Sequence, residues 1–189
     1  MFLFGKKEET CVQIPLEVKG KLYCSPMPFG PYDSCNGLLK IYKKNRIKFA
    51  VMLVTDVELA KKAKRDVIKI YKENGIQPIR FPIADYTSPE LHDFSVVVDR
   101  VSNLLRTGAH VAVHCNAGVG RTSVMTSCIA QDLLKLSAQE AISHVKHYMQ
   151  TNMTDEQIRL VKRFQPLEER LQSPKEERVP GATETGVES

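Results

Sequence analysis

Val113-His114-Cys115-Asn116-Ala117-Gly118-Val119-Gly120-Arg121-Thr122-Ser123 sets one cysteine and one arginine six positions apart around two glycines. Ahead of it, Ala109–Val113 is a short, apolar, β-branched run of the kind that forms a buried parallel strand. Behind Arg121 the apolar residues recur at helical spacing as far as about Leu136. A strand, a tight loop and a helix are therefore expected in succession. Gly118 and Gly120 let the main chain come close to a ligand, so that successive N–H groups converge on an anion. The free N–H groups at the start of the following helix, with roughly +0.5 charge of helix dipole, add to that field. Arg121 at the helix mouth can hold two oxyanion oxygens in a bidentate fork that a lysine cannot reproduce. Cys115 lies at the focus, where a cysteine pKa can fall from about 8.5 into the range of roughly 3.5–7.5. A thiolate nucleophile in a phosphate cradle is the expectation.

His-Cys, five residues, Arg and then Ser or Thr is the signature of the cysteine-dependent protein phosphatases, and the chain resembles that superfamily at every fixed position. The resemblance implies that Cys115 attacks phosphorus to give a phosphocysteine and that Arg121 binds the phosphoryl oxygens. It further implies that the hydroxyl of Thr122 helps the thiolate leave during hydrolysis. The phosphate-binding set it implies is His114, Asn116, Ala117, Gly118, Val119, Gly120 and Arg121, with His114 ordering the loop through hydrogen bonds.

Such a reaction needs a proton donor for the departing oxygen, and a carboxyl on a separate loop is the usual solution. Phe81-Pro82-Ile83-Ala84-Asp85-Tyr86-Thr87-Ser88-Pro89 is a proline-bounded loop between a strand and a helix. A loop aspartate is most often a turn former. The Pro-Ile-x-Asp pattern is similar to that of compact dual-specificity phosphatases of the kinase-associated type, which makes Asp85 the expected general acid. Where those relatives carry Gly-Gly after the aspartate, this chain has Tyr86-Thr87.

The chain has 189 residues and 42% hydrophobic content, enough for one sizeable core. The expected organisation is an N-terminal extension over 1–19, a catalytic domain over 20–172 and a disordered tail over 173–189, which is rich in Glu, Pro, Thr and Gly. Cys11, Cys24, Cys35, Cys115 and Cys128 form no C-x-x-C pair and are odd in number, which fits a reducing compartment. Met1–Phe4 is followed at once by Lys6-Lys7-Glu8-Glu9, which is not the long apolar core of a signal peptide, and no run reaches the length of a membrane span. A cytoplasmic protein without membrane insertion is expected. The formal charge of +5 is modest and sits largely on lysine-rich helices, without the interleaved aromatics of a nucleic-acid module. His144 and His147 do not form an i, i+4 pair, so no metal site is read from the histidines, and no cofactor is expected.

Strand patterns at Lys21–Cys24, Lys48–Val54 and Gln77–Ile83 alternate with helical ones. The helices are expected from near Asp33-Ser34, over Glu58–Lys64, Asp66–Asn74 and Pro89–Arg106, and after two capping boxes, Ser137-x-x-Glu140 and Thr154-x-x-Gln157. Ile158, Val161, Phe164 and Leu171 are read as the inward stripe of the last helix. The fold class is α/β, a central mainly parallel sheet flanked by helices, with the site at the carboxyl ends of the strands. Gln157 is read as a cap.

The function this implies is metal-independent hydrolysis of phosphotyrosine and phosphoserine or phosphothreonine in protein substrates, by a monomer. The uncharged loop interior, Asn116–Gly120, argues against highly charged inositol phosphates. An inositol phosphate or phosphoinositide phosphatase of the same superfamily is the alternative within the enzyme class. A phosphate-binding module with weak turnover is the alternative outside it.

Overall fold

The computed structural model describes residues 11–63 and 65–172. The readings of Met1–Phe4, Lys64 and the tail 173–189 lie outside the described residues. Five strands form one sheet in the order β1-β2-β5-β3-β4. They are β1 (Val12–Ile14), β2 (Lys21–Ser25), β3 (Phe49–Met52), β4 (Gln77–Arg80) and β5 (His110–His114). Only β1 runs antiparallel, on β2; β2, β5, β3 and β4 are mutually parallel, with Val51 opposite Val113 and Cys24 opposite the same residue on the other side. The central strand β5 is flanked on both sides, so its Val111-Ala112-Val113 run is buried on both faces.

The pleat divides the core in two. Val51, Val111 and Val113 point to one face, with Phe94, Val98, Val101 and Leu105 of α4 (Leu91–Arg106) and Val124, Met125, Cys128 and Ile129 of α5 (Arg121–Leu134). Ala50, Met52 and Ala112 point to the other, against Tyr42 of α1 (Leu38–Lys44) and Val67 and Tyr71 of α3 (Val67–Glu73). Residues one apart on a strand thus serve opposite layers. The buried α5 is covered by α6 (Ala138–Tyr148) and α7 (Asp155–Arg163), each opened by a capping box at Ser137/Glu140 and Thr154/Gln157.

Several boundaries differ from the sequence reading. Val12–Ile14, assigned there to an N-terminal extension, supplies the edge strand. The helix expected near Asp33-Ser34 begins at Leu38, because the Asp33 carboxylate instead accepts the N–H groups of Phe29 (2.9 Å) and Gly37 (2.8 Å) and closes a turn. β3 and β4 are shorter than expected as strands. Beyond them Leu53 N–H still bonds the His114 carbonyl and Ile83 N–H the Leu53 carbonyl, which carries the segment leading to Asp85 along the sheet edge. The last helix breaks at Phe164, and Pro166 precedes a separate α8 (Leu167–Gln172), where Leu171 is 77% exposed and not in the core. Among the described residues, no helix is long and apolar enough to cross a membrane.

Candidate active site

Residues 115–120 connect β5 to α5 at the carboxyl end of the sheet. Gly118 has φ +82°, and a Cβ there would lie 2.7 Å from the backbone C and O of Ser25. Both the conformation and the space require glycine. The loop carbonyls are tied outward, Asn116 O by the N–H of Met27 (3.0 Å) and Val119 O by the N–H of Asn152 (2.7 Å) and the hydroxyl of Ser123 (2.7 Å). The N–H of Gly118 donates to Sγ of Cys115 at 3.3 Å. Cys115 is 3% exposed at the floor of a cavity of about 80 Å³, walled by Tyr32, Asp85, Tyr86, Arg121 and Gln157.

Arg121 is almost fully buried, and its fork is divided. Nη1 donates to Glu58 Oε2 (2.7 Å) and to the carbonyl of Ile83 (2.7 Å), while Nη2 donates to Glu58 Oε1 (2.9 Å) and is paired with Asp85 Oδ1 at 3.1 Å. Its buried Nε has no hydrogen-bond partner among the described residues; the hydroxyl of Thr122 and Oδ1 of Asn116 are in the same state. Unpaired polar atoms at this depth are costly unless a ligand meets them. Of the three, the Arg121 N–H and the Thr122 hydroxyl can donate to an anion, while the Asn116 oxygen only accepts.

Glu58 is a site residue that the sequence reading passed over. It is the third residue of α2 (Asp56–Lys62), where it completes a capping box with Thr55, and the only sequence signal was Thr55-x-x-Glu58. Tertiary structure brings it to Arg121. Burial alone would raise its carboxyl pKa, but hydrogen bonds from Arg121 and Thr55 and the adjacent guanidinium charge outweigh burial and hold it at about 2. Burial works against the Arg121 charge, and the hydrogen bond to Glu58 together with the electrostatic influence of Cys115, Glu58 and Asp85 more than restores it.

Because the folded carboxyl is depressed, its contribution to stability is complete above the ordinary value of 4.5 and is lost as pH falls toward about 2. Glu58→Gln is expected to flatten the acid limb of a thermal-unfolding profile over that window. The same variant should lower kcat/KM for an aryl phosphate roughly 10–100-fold, on the scale of hydrogen bonds to a charged group. An unchanged kcat/KM would show that Arg121 does not depend on Glu58.

The loop that carries Asp85 sits directly on this arginine. A turn in which Thr87 N–H and hydroxyl both donate to the Ala84 carbonyl (3.3 and 3.0 Å) carries Tyr86 at φ +62°. Asp85 is 43% exposed at the cavity mouth and Tyr86 is more so. Gln157 is a cap, as read from the sequence: its Oε1 accepts from Thr154 N–H at 3.1 Å. Its Nε2 also donates to the Thr87 carbonyl at 2.9 Å, which ties the Asp85 loop to α7.

Cys115, Asn116, Ala117, Val119, Gly120, Arg121 and Asp85 line the cavity. Gly118 contributes its N–H to the cysteine sulfur, and Thr122 is buried beside Arg121 in the first turn of α5. His114, grouped in the sequence reading with the phosphate-binding residues, does not line the cavity. It is fully buried behind the loop, with Nδ1 3.3 Å from the Cys115 carbonyl and Nε2 3.1 Å from the Tyr71 hydroxyl. Burial, only partly offset by the bond to that carbonyl, lowers its pKa to about 4, so the ring is neutral near pH 7.

Solved structures with the same architecture include kinase associated phosphatase with its catalytic-site cysteine substituted by serine (TM-score 0.72, 16% identity, 83% of this chain and 94% of that one). PTPMT1 in complex with PI(5)P superposes with a TM-score of 0.68 at 17% identity, over 82% of this chain and 93% of that one. Tk-PTP in the active form superposes with a TM-score of 0.64 at 22% identity, over 80% and 94%. At these identities the likeness is one of fold. In sequence, the chain is 24% identical over 105 residues to rat cyclin-dependent kinase inhibitor 3, covering 55% of this chain and 50% of that protein. It is 33% identical over 78 residues to zebrafish protein tyrosine phosphatase domain-containing protein 1, covering 41% of this chain and 11% of that protein. The chain thus spans about half the length, or less, of these curated relatives. A family model described as "Polymorphic toxin system, DSP-PTPase phosphatase" matches residues 34–138, a span that takes in Glu58, the Asp85 loop and the whole cysteine loop. With that match over more than half its length, the chain belongs to this DSP-PTPase family of cysteine-based phosphatases.

Proposed function

We propose that the chain is a metal-independent phosphomonoester hydrolase that acts on phosphotyrosine and on phosphoserine or phosphothreonine in proteins. The observation that carries this reading is the cysteine sulfur at the floor of a cavity also lined by Arg121, whose buried Nε has no hydrogen-bond partner among the described residues. The substrate phosphoryl group is received by the loop N–H groups and the Nε edge of Arg121, with Glu58 holding the opposite edge. The Cys115 thiolate attacks phosphorus, the bond to the leaving oxygen breaks, and Asp85 gives that oxygen its proton. Asp85 then takes a proton from water, the resulting hydroxide equivalent attacks the phosphocysteine, and phosphate departs as the thiolate is restored beside the Thr122 hydroxyl. No metal is assigned a role. Activity is expected to persist in excess chelator and to fall with orthovanadate or thiol oxidation. A chelator-sensitive rate would contradict the mechanism.

The likeness to PTPMT1, solved with PI(5)P, supports a phosphoinositide reading. The cavity argues the other way, since among the described residues no lysine lines it and two carboxylates already contact its arginine. Turnover on matched phosphotyrosine and phosphoserine peptides and on inositol phosphates separates the two. The proposal expects both peptides to react, and exclusive turnover of an inositol phosphate would overturn it.

A further inference from the structure

The far side of the sheet holds a set of buried hydroxyls that the chemistry above does not use. Tyr42 and Tyr71 are fully buried and stacked with ring centroids 6.1 Å apart. One arm leads from Tyr71 to the nucleophile. A neutral His114 whose Nδ1–H donates to the Cys115 carbonyl has a lone pair on Nε2, which accepts the Tyr71 hydroxyl at 3.1 Å. The other arm leads from Tyr42 to the loop's support. Ser25 donates its hydroxyl to the Pro26 carbonyl at 2.8 Å, so its oxygen accepts the Tyr42 hydroxyl at 2.6 Å. Ser25 and Pro26 are the backbone against which Gly118 is pressed, and the next residue, Met27, donates its N–H to the Asn116 carbonyl. Burial pushes both phenol pKa values upward, so each remains an O–H donor.

We infer that Ser25, Tyr42 and Tyr71 are positioning residues that brace the cysteine loop at two points, the Cys115 carbonyl and the Ser25–Met27 segment behind Asn116 and Gly118. The inference rests on the reading of that loop as the oxyanion site. Fully satisfied buried polar chains of this kind fix one geometry, and loss of one link leaves its partner unpaired. Neither phenol lines the active-site cavity. Their influence must therefore pass through the loop.

The test compares wild type, Tyr42→Phe, Ser25→Ala and the double variant, in turnover of an aryl phosphate and in tungstate binding by calorimetry. Tyr42→Phe keeps the ring and removes only the hydroxyl. Each single change is expected to lower kcat and weaken tungstate binding by roughly 3–10-fold, the scale of one buried hydrogen bond. Because both remove the same arm, the double variant should lose no more than the larger single one. Wild-type kcat and tungstate affinity in the variants, whether or not their melting temperatures fall, would overturn the brace, and so would additive losses. Tungstate binding without wild-type turnover would overturn the phosphatase reading while the binding comparison still decides the brace. A wild type that binds no tungstate would overturn both.

Discussion

Replacing Cys115 with serine is expected to reduce hydrolysis of an aryl phosphate by roughly 10⁵-fold or more, the scale seen when the attacking group of a covalent mechanism is removed. The sulfur sits 3.3 Å from the Gly118 N–H at the floor of the cavity, and an alcohol in its place, far less acidic than a thiol, would need a base against it to remove its proton. Histidine could be such a base elsewhere. Here His114 faces away, with its two nitrogens engaged by Tyr71 and by the Cys115 carbonyl. Because the remainder of the cradle is backbone and Arg121, tungstate binding should survive the change within a few-fold. Steady-state assays and calorimetry on the same preparation check both halves, and retained turnover would remove Cys115 from its role.

Asp85→Asn is expected to slow substrates with poor leaving groups by roughly 100- to 10,000-fold, the usual contribution of a positioned general acid. An aryl phosphate with a strongly electron-withdrawing ring needs little protonation and should lose far less. The loop bearing Asp85 is held by the Gln157 bond to the Thr87 carbonyl and by a bond from the Ser88 hydroxyl to Glu156, so the amide should occupy the same place. Asparagine also ends the ion pair with Arg121 Nη2, and oxyanion binding should not weaken as a result. Equal losses for good and poor leaving groups would assign the proton to another residue.

How much of this was legible in the sequence depended on whether the signal was local. The strand–loop–helix around Cys115 could be read because every constraint on it lies within a dozen residues: the apolar run, the glycines and the arginine at the helix mouth. The capping boxes at Ser137 and Thr154 were equally local and both formed. β1 could not be read, since three residues on a sheet edge carry too little periodicity to stand out. Asp33 has the chemistry of a helix cap, and whether it caps or closes a turn was decided by the approach of Phe29 and Gly37.

Glu58 shows the same limit at the site. Within its own helix it is a capping residue, and its second role exists only because the sheet brings residues 63 apart in sequence into contact. The brace from Tyr42 and Tyr71 was hidden for a similar reason, because tyrosines at helical spacing read as core, which they also are. His114 was read from the resemblance as ordering the loop through hydrogen bonds, and was grouped with the phosphate-binding residues. Strand alternation turns it to the opposite face of the sheet from Val113, where it supports the loop from behind.

Rapid acid quench of the chain with an isotopically labelled phosphopeptide, followed by peptide mapping, tests the central claim most directly. The account predicts label on Cys115, appearing within the first turnover and absent from Cys115→Ser. Undiminished turnover with no label on Cys115, or label on another residue, would contradict it.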